Sequence, residues 1–138
     1  MALTLEDRFA ITELISLHGH FVDDGQLDRL EELFTPEVVY DLTDFGQDPL
    51  VGVAAMRAAA LALGAGNPVA HHVTNVVVLE SADGRVRARS KALGVRADGS
   101  CGSATYDDTL VRTPDGWRIS HRRLCARRVP LNGVTGPG

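Results

Sequence analysis

The sequence predicts an α+β fold in which N-terminal helices pack in a curved antiparallel sheet, and three observations carry that expectation. Apolar residues recur at helical spacing in three segments of the first 63 residues, and the period changes to two after Pro68. Asp-Gly pairs at 83–84, 98–99 and 115–116 then divide the rest of the chain into strand-length pieces. Helices followed by strands on short turns bury their apolar faces as two layers, the sheet wrapping one side of the helices.

The first helix should start after Thr4, whose hydroxyl can cap it, with Asp7 at the acidic third position of a capping-box-like start. Ile11, Leu14, Ile15, His18 and Val22 share its apolar face, so a histidine lies among core residues, and Asp23-Asp24-Gly25 ends it. "LDRLEELF" (27–34) reads as a second short helix with Leu27, Leu30, Leu33 and Phe34 inward, and "TP" closes it before the strand-like "EVVYDL" (37–42). Residues 43–52, "TDFGQDPLVG", are turn-rich and suit a mobile loop over a site. A third helix, "VAAMRAAALAL" (53–63), is apolar almost all round and should be buried or shared with a partner. Three or four long strands follow at about 69–81, 84–96, 101–113 and 116–127. One domain is expected over 1–128, with 129–138, "VPLNGVTGPG", as a flexible tail.

A chain of 138 residues with 44% hydrophobic content suits a single core. Residues 1–50 carry twelve Asp/Glu against two Arg, and residues 51–138 carry twelve Arg/Lys against six acids. The basic half does not point to nucleic acid, because Arg85, Arg87, Arg89 and Lys91 alternate along one strand as a solvated face, with no aromatic-interleaved groove. No apolar run approaches the roughly 20 residues that span a bilayer, and the start lacks a secretory pattern. A cytoplasmic location is therefore expected, with Cys101 and Cys125 as free thiols. Glycine-rich phosphate loops, GxSxG elbows and dinucleotide fingerprints are absent, which argues against kinase, NTPase, dehydrogenase and α/β-hydrolase chemistry.

The chemistry-bearing stretch is "VAHHVTNVVVLE" (69–80). Strict alternation sets His71, Val73, Asn75, Val77 and Leu79 on one face and His72, Thr74, Val76, Val78 and Glu80 on the other. The first face is the more apolar and is read as inward. On the next strand the inward set Val86, Ala88, Ser90, Ala92 and Gly94 is small, leaving room either for a closely packed helix or for a ligand. His121 shares parity with Trp117 and Ile119 and is expected inward. Buried imidazoles and carboxylates are costly unless partnered, so His and Asp should meet. An Asp that accepts from one imidazole nitrogen raises the basicity of the other, producing a general base that needs neither metal nor cofactor. Such a base suits proton abstraction beside a carbonyl or a leaving group. A strand histidine can equally be a satisfied core residue, and His20 and His72 are read as outward. No HxH lies on one strand face and there is no HExxH, so no metal is expected.

The segments "FVDDGQLDRLEELFTPEVVY", "LVGVAAMRAAA", "AHHVTNVVV" and "TYDDTLVRTPDGWRISHRR" together resemble the SnoaL-like group of the nuclear transport factor 2-like superfamily, over roughly residues 4 to 128. That resemblance implies a cone-shaped fold and a cavity. In dehydratase and dehydrochlorinase members, an Asp near the end of the first helix pairs with a His on the first long strand. Asp23, seven residues before Leu30 of "LEELF", and His71, four residues before Asn75, match those positions. The resemblance therefore implies Asp23 and His71 as the catalytic pair, with His18, Tyr40, Asn75, Tyr106 and His121 as pocket candidates. Val22 and Leu42 stand where scytalone dehydratase has tyrosines, which argues against its particular substrate. The Asp–Arg–Asp set of epoxide-hydrolysing relatives has no assignable counterpart. The expected function is a cofactor-independent dehydratase, cyclase or isomerase for a small hydrophobic cyclic or polyketide-like substrate. The alternative is a non-catalytic binding or assembly domain. The open sheet face and apolar third helix suggest a homodimer or homotrimer.

Overall fold

The computed structural model describes residues 2–81 and 83–137. Helix α1 spans Leu5–Asp23 and opens with a complete capping box, in which Thr4 Oγ1 accepts from the Asp7 N–H and Asp7 accepts from the Thr4 N–H, both at 3.0 Å. Its buried stripe is Ile11, Leu14, Ile15, His18 and Phe21. Ile11 and Ile15 are fully buried, and each contributes about 2 kcal/mol of apolar burial. The chain continues through strands β1 (Phe34–Asp41) and β2 (Leu50–Val51), helix α2 (Val53–Leu63), and the long strands β3 (Ala70–Glu80), β4 (Val86–Val95), β5 (Cys101–Thr113) and β6 (Gly116–Ala126).

The strands form one sheet in the order β2-β1-β6-β5-β4-β3, antiparallel at every pairing except β1 with β6, which is parallel. Helix α1 lies against β3 and β6 inside the curve of this sheet, as an α+β fold requires. Ala88 joins the core around Ile11, Leu14 and Ile15, while Ala92 packs with Tyr106 and Leu124. The small side chains of β4 therefore serve close packing. Among the described residues no helix is long and apolar enough to cross a membrane, and both cysteines are free.

Several local expectations change. The "LDRLEELF" segment is a 3-10 turn over Leu27–Glu32, and Phe34 opens β1 instead of closing a helix. Within 43–52, Thr43–Phe45 form another 3-10 turn, and Leu50–Val51 pair with Tyr40 and Val39. Helix α2 buries only Met56, leaving Leu61 and Leu63 exposed.

Two β-bulges break the strict alternation on which the inward sets rested. In β3, Thr74 pairs with Lys91 and Val77 with Arg89, so Asn75 and Val76 together oppose Ser90. Asn75 takes up the extra residue with φ 57°, a left-handed conformation that asparagine tolerates better than most residues. Beyond it Val76 and Val78 turn inward, while Val77 and Leu79 are exposed. In β6, Thr109 pairs with His121 and Leu110 with Ile119, leaving Ser120 as the extra residue. Arg122 and Leu124 therefore continue the inward row begun by Trp117 and Ile119.

Candidate functional site

At its C-terminal end α1 approaches the start of β3 so closely that a Cβ on Gly19 would lie 2.8 Å from the His71 carbonyl oxygen. Only glycine permits this approach. It brings Asp23, the last residue of the helix, onto His71. Asp23 Oδ2 accepts from the His71 backbone N–H at 2.9 Å, and Oδ1 bonds to His71 Nδ1 at 2.7 Å. The two side chains are 21% and 18% exposed respectively, so the pair sits at a rim, neither sealed nor fully solvated.

One turn back along α1, His18 points into the molecule and is buried. Its Nδ1 is 2.8 Å from Arg122 Nη1. Arg122 in turn grips Asp108 through two hydrogen bonds, Nε to Oδ1 at 2.7 Å and Nη2 to Oδ2 at 2.9 Å, and both of these side chains are wholly buried. The guanidinium also lies over the Tyr106 ring at 4.0 Å and near Phe34 at 5.5 Å. Burial opposes the arginine's charge, but Asp108 more than offsets it and holds the group above its usual range. Burial first, then the charge of Arg122 and then that of His71, push His18 well below the ordinary imidazole range. Burial likewise raises the phenols of Tyr40 and Tyr106.

His18, Tyr40, His71 and Tyr106 all border one cavity of about 420 Å³, otherwise walled mainly by apolar side chains from the end of α1, the 3-10 turns, Leu42, β2, α2 and β6. The segment 43–52, expected as a covering loop, supplies Phe45, Gln47 and Leu50 to this wall. The expected pocket residues Asn75 and His121 do not reach the cavity. Asn75 is exposed on the outer face at the β3 bulge, beside Arg89 and Lys91. His121 lies on the outer face because the Ser120 bulge reverses β6 just before it, and there it helps hold the Asp41 carboxyl below its usual range, after the hydrogen bonds from Thr43. His20 and His72 are exposed, as expected.

The Asp108–Arg122 pair has no complete mark in the local sequence pattern. Asp108 shares strand parity with Tyr106 and Leu110, a signal of an inward carboxylate, but the parity of Arg122 depends on a bulge that no local pattern marks. Arg122 reaches His18 and Asp108, and neither is a second carboxylate bridging it to Asp23. Among the described residues no cluster of three His, Cys, Asp or Glu could hold a metal ion.

Residues 3–123 match the SnoaL-like domain family. A relative described as an uncharacterized protein of Mycobacterium tuberculosis is 29% identical over 123 residues, covering 86% of this chain and 84% of that protein. Among solved structures, an NTF2-like protein with a cystatin-like fold from Novosphingobium aromaticivorans is 31% identical with a TM-score of 0.73, covering 94% of this chain and 85% of that one. A candidate aromatic ring hydroxylase from the same organism is 28% identical with a TM-score of 0.74, covering 93% and 94%.

Proposed function

The chain belongs to the SnoaL-like domain family, and from that premise we propose that it is an acid–base enzyme of the dehydratase, cyclase or isomerase type, acting on a small hydrophobic cyclic or polyketide-like molecule. The observation that carries the proposal is the 2.7 Å bond between Asp23 and His71 at the wall of an apolar cavity. An ionised carboxylate can only accept, so Nδ1 of His71 is the donor, and in the neutral ring Nε2 keeps its lone pair. That nitrogen is the general base, and Asp23 steadies the imidazolium that forms when it takes a proton. The dyad itself requires no metal or cofactor.

The cavity supports the substrate class. Its volume falls within the range of small-molecule sites, and its polar groups are few. An apolar ring system would fill it and displace water from the base.

Histidine NMR on the wild type and Asp23→Asn, with cyclic hydroxy-ketones screened as ligands, tests this function. The His71 ring resonances should respond both to the loss of the Asp23 charge and to bound ligand. Turnover in His71→Gln should then fall by about 10²–10⁴-fold. His71 indifferent to both changes would remove the base. Ligand binding without turnover would replace the enzyme by a non-catalytic binding domain of the same fold.

A further inference from the structure

We propose that the two imidazoles lining the cavity are locked in opposite tautomers by partners of opposite charge, and that the cavity thereby takes a substrate whose acidic C–H lies beside a carbonyl oxygen. His71 Nε2 accepts the proton, and His18 Nε2–H holds the oxygen. The proposal rests on the assignment of Asp23–His71 as the base and adds the second half of the chemistry.

The lock on His18 follows from what its partner can do. A guanidinium has only donors, so the 2.8 Å bond from Arg122 Nη1 must end on an Nδ1 lone pair. The single proton of the neutral ring then resides on Nε2. Protonating Nδ1 would set an N–H against the arginine N–H and add a second positive charge in a buried site. Arg122 cannot relax away, because Asp108 holds it through two bonds and Tyr106 covers its face. His71 has the reverse arrangement, its Nδ1 proton drawn to Asp23.

Neither Nε2 has a hydrogen-bond partner among the described residues. The one fully enclosed side-chain polar atom without a partner among them is Ser90 Oγ. His18 Nε2 therefore borders open space, and the space its ring lines is the cavity it shares with His71. One ring offers a lone pair to that space and the other offers an N–H.

With a ketone bound, the C–H bond breaks and its proton forms an N–H bond on His71 Nε2. The C–H electron pair becomes the enolate double bond, and the carbonyl π pair moves onto oxygen. That oxygen strengthens its hydrogen bond to His18 as its charge grows, which is where a preorganised donor lowers a barrier. The His71 imidazolium, opposite Asp23, then returns the proton to another carbon or to a departing hydroxyl. His18 stays neutral throughout and cannot exchange roles with His71. Arg122 and Asp108 act through His18 as positioning residues.

The test combines nitrogen-edited histidine NMR with binding of β-tetralone and its oxygen-free counterpart tetralin. His18 should keep the Nε2–H form between about pH 5 and 9, where an ordinary imidazole would titrate. The affinity ratio of β-tetralone to tetralin should fall about tenfold in His18→Phe, the loss of one hydrogen bond to the ketone. In Arg122→Met/Asp108→Leu, which swaps the buried pair for apolar groups of similar size, His18 should show mixed tautomers and the ratio should fall as well. A wild-type His18 carrying its proton on Nδ1, or titrating in that range, overturns the proposal without any variant. So does an unchanged ratio in His18→Phe, or failure of β-tetralone to bind. Should Asp23→Asn leave His71 indifferent while His18 keeps its Nε2–H form, the base assignment fails and the donor survives. The opposite pattern removes the donor alone.

Discussion

His18 is neutral in the folded protein because its environment opposes the charged form, and this ties stability to pH. Its folded value is depressed below 6.5, so as pH drops beneath 6.5 the unfolded chain binds a proton that the folded one refuses. Stability from this group is fully present above that pH and is lost below it, at up to about 1.4 kcal/mol per pH unit. Chemical denaturation of wild type and His18→Gln between pH 8 and 5 should show this slope in the wild type only, since Gln can still accept from Arg122 but does not titrate; parallel profiles would contradict it. The inward faces of His18 and His71 are legible from helix and strand periodicity, because each lies within a few residues of the pattern that places it, whereas Asp23 at the helix end is singled out by the family resemblance. Arg122 is legible from neither. Its burial depends on Asp108 across the sheet, and a charged residue is read as solvated until its partner is seen.

Bulges and close approaches decide which side chains the strands present. Gly19→Ala should force β3 away from α1, since backbone would meet a methyl at 2.8 Å. A cost of about 1–3 kcal/mol in denaturation, with a weakened His71 response to Asp23, is expected; a fully stable variant with an intact response would show that the contact does not set the dyad. At the β3 bulge, Asn75→Gly should be tolerated, while Asn75→Val should cost about 1–2 kcal/mol for its left-handed backbone. Urea denaturation of the two separates that strain from the loss of an exposed amide. Period two carried through residues 75 and 120 puts Val77, Leu79 and His121 inward, where the structure does not. A bulge is fixed by pairing with the neighbouring strand, and Asn75, with its tolerance of positive φ, was the one local hint.

At the scale of the molecule, the helices-then-strands order and the Asp-Gly turns sufficed for the α+β architecture, whereas the parallel pairing of β1 with β6 joins segments some 80 residues apart and has no local mark. Asp7 closes the structure in a similar way. It caps α1 and also reaches Arg112 at 2.9 Å on β5 and Trp117 Nε1 at 3.2 Å on β6. The Thr4 backbone N–H, with Arg112 and Trp117, holds its carboxyl at about 2 instead of 3.8. Its contribution is present above pH 3.8 and lost as pH falls toward 2, so acid denaturation of Asp7→Asn should lack that part of the transition. The helix, the turns of the first half and the sheet meet around one apolar cavity with the Asp23–His71 pair at its edge, and that pair is what the proposed function stands on. Deuterium incorporation from D₂O into the carbon beside the carbonyl of β-tetralone, followed by NMR with wild type and His71→Gln, tests the proposed base most directly. Exchange above the buffer rate in the wild type, reduced by about 10²–10⁴-fold in His71→Gln, is the expected result. Exchange that persists in His71→Gln, or no exchange in a wild type that binds the ketone, would contradict it.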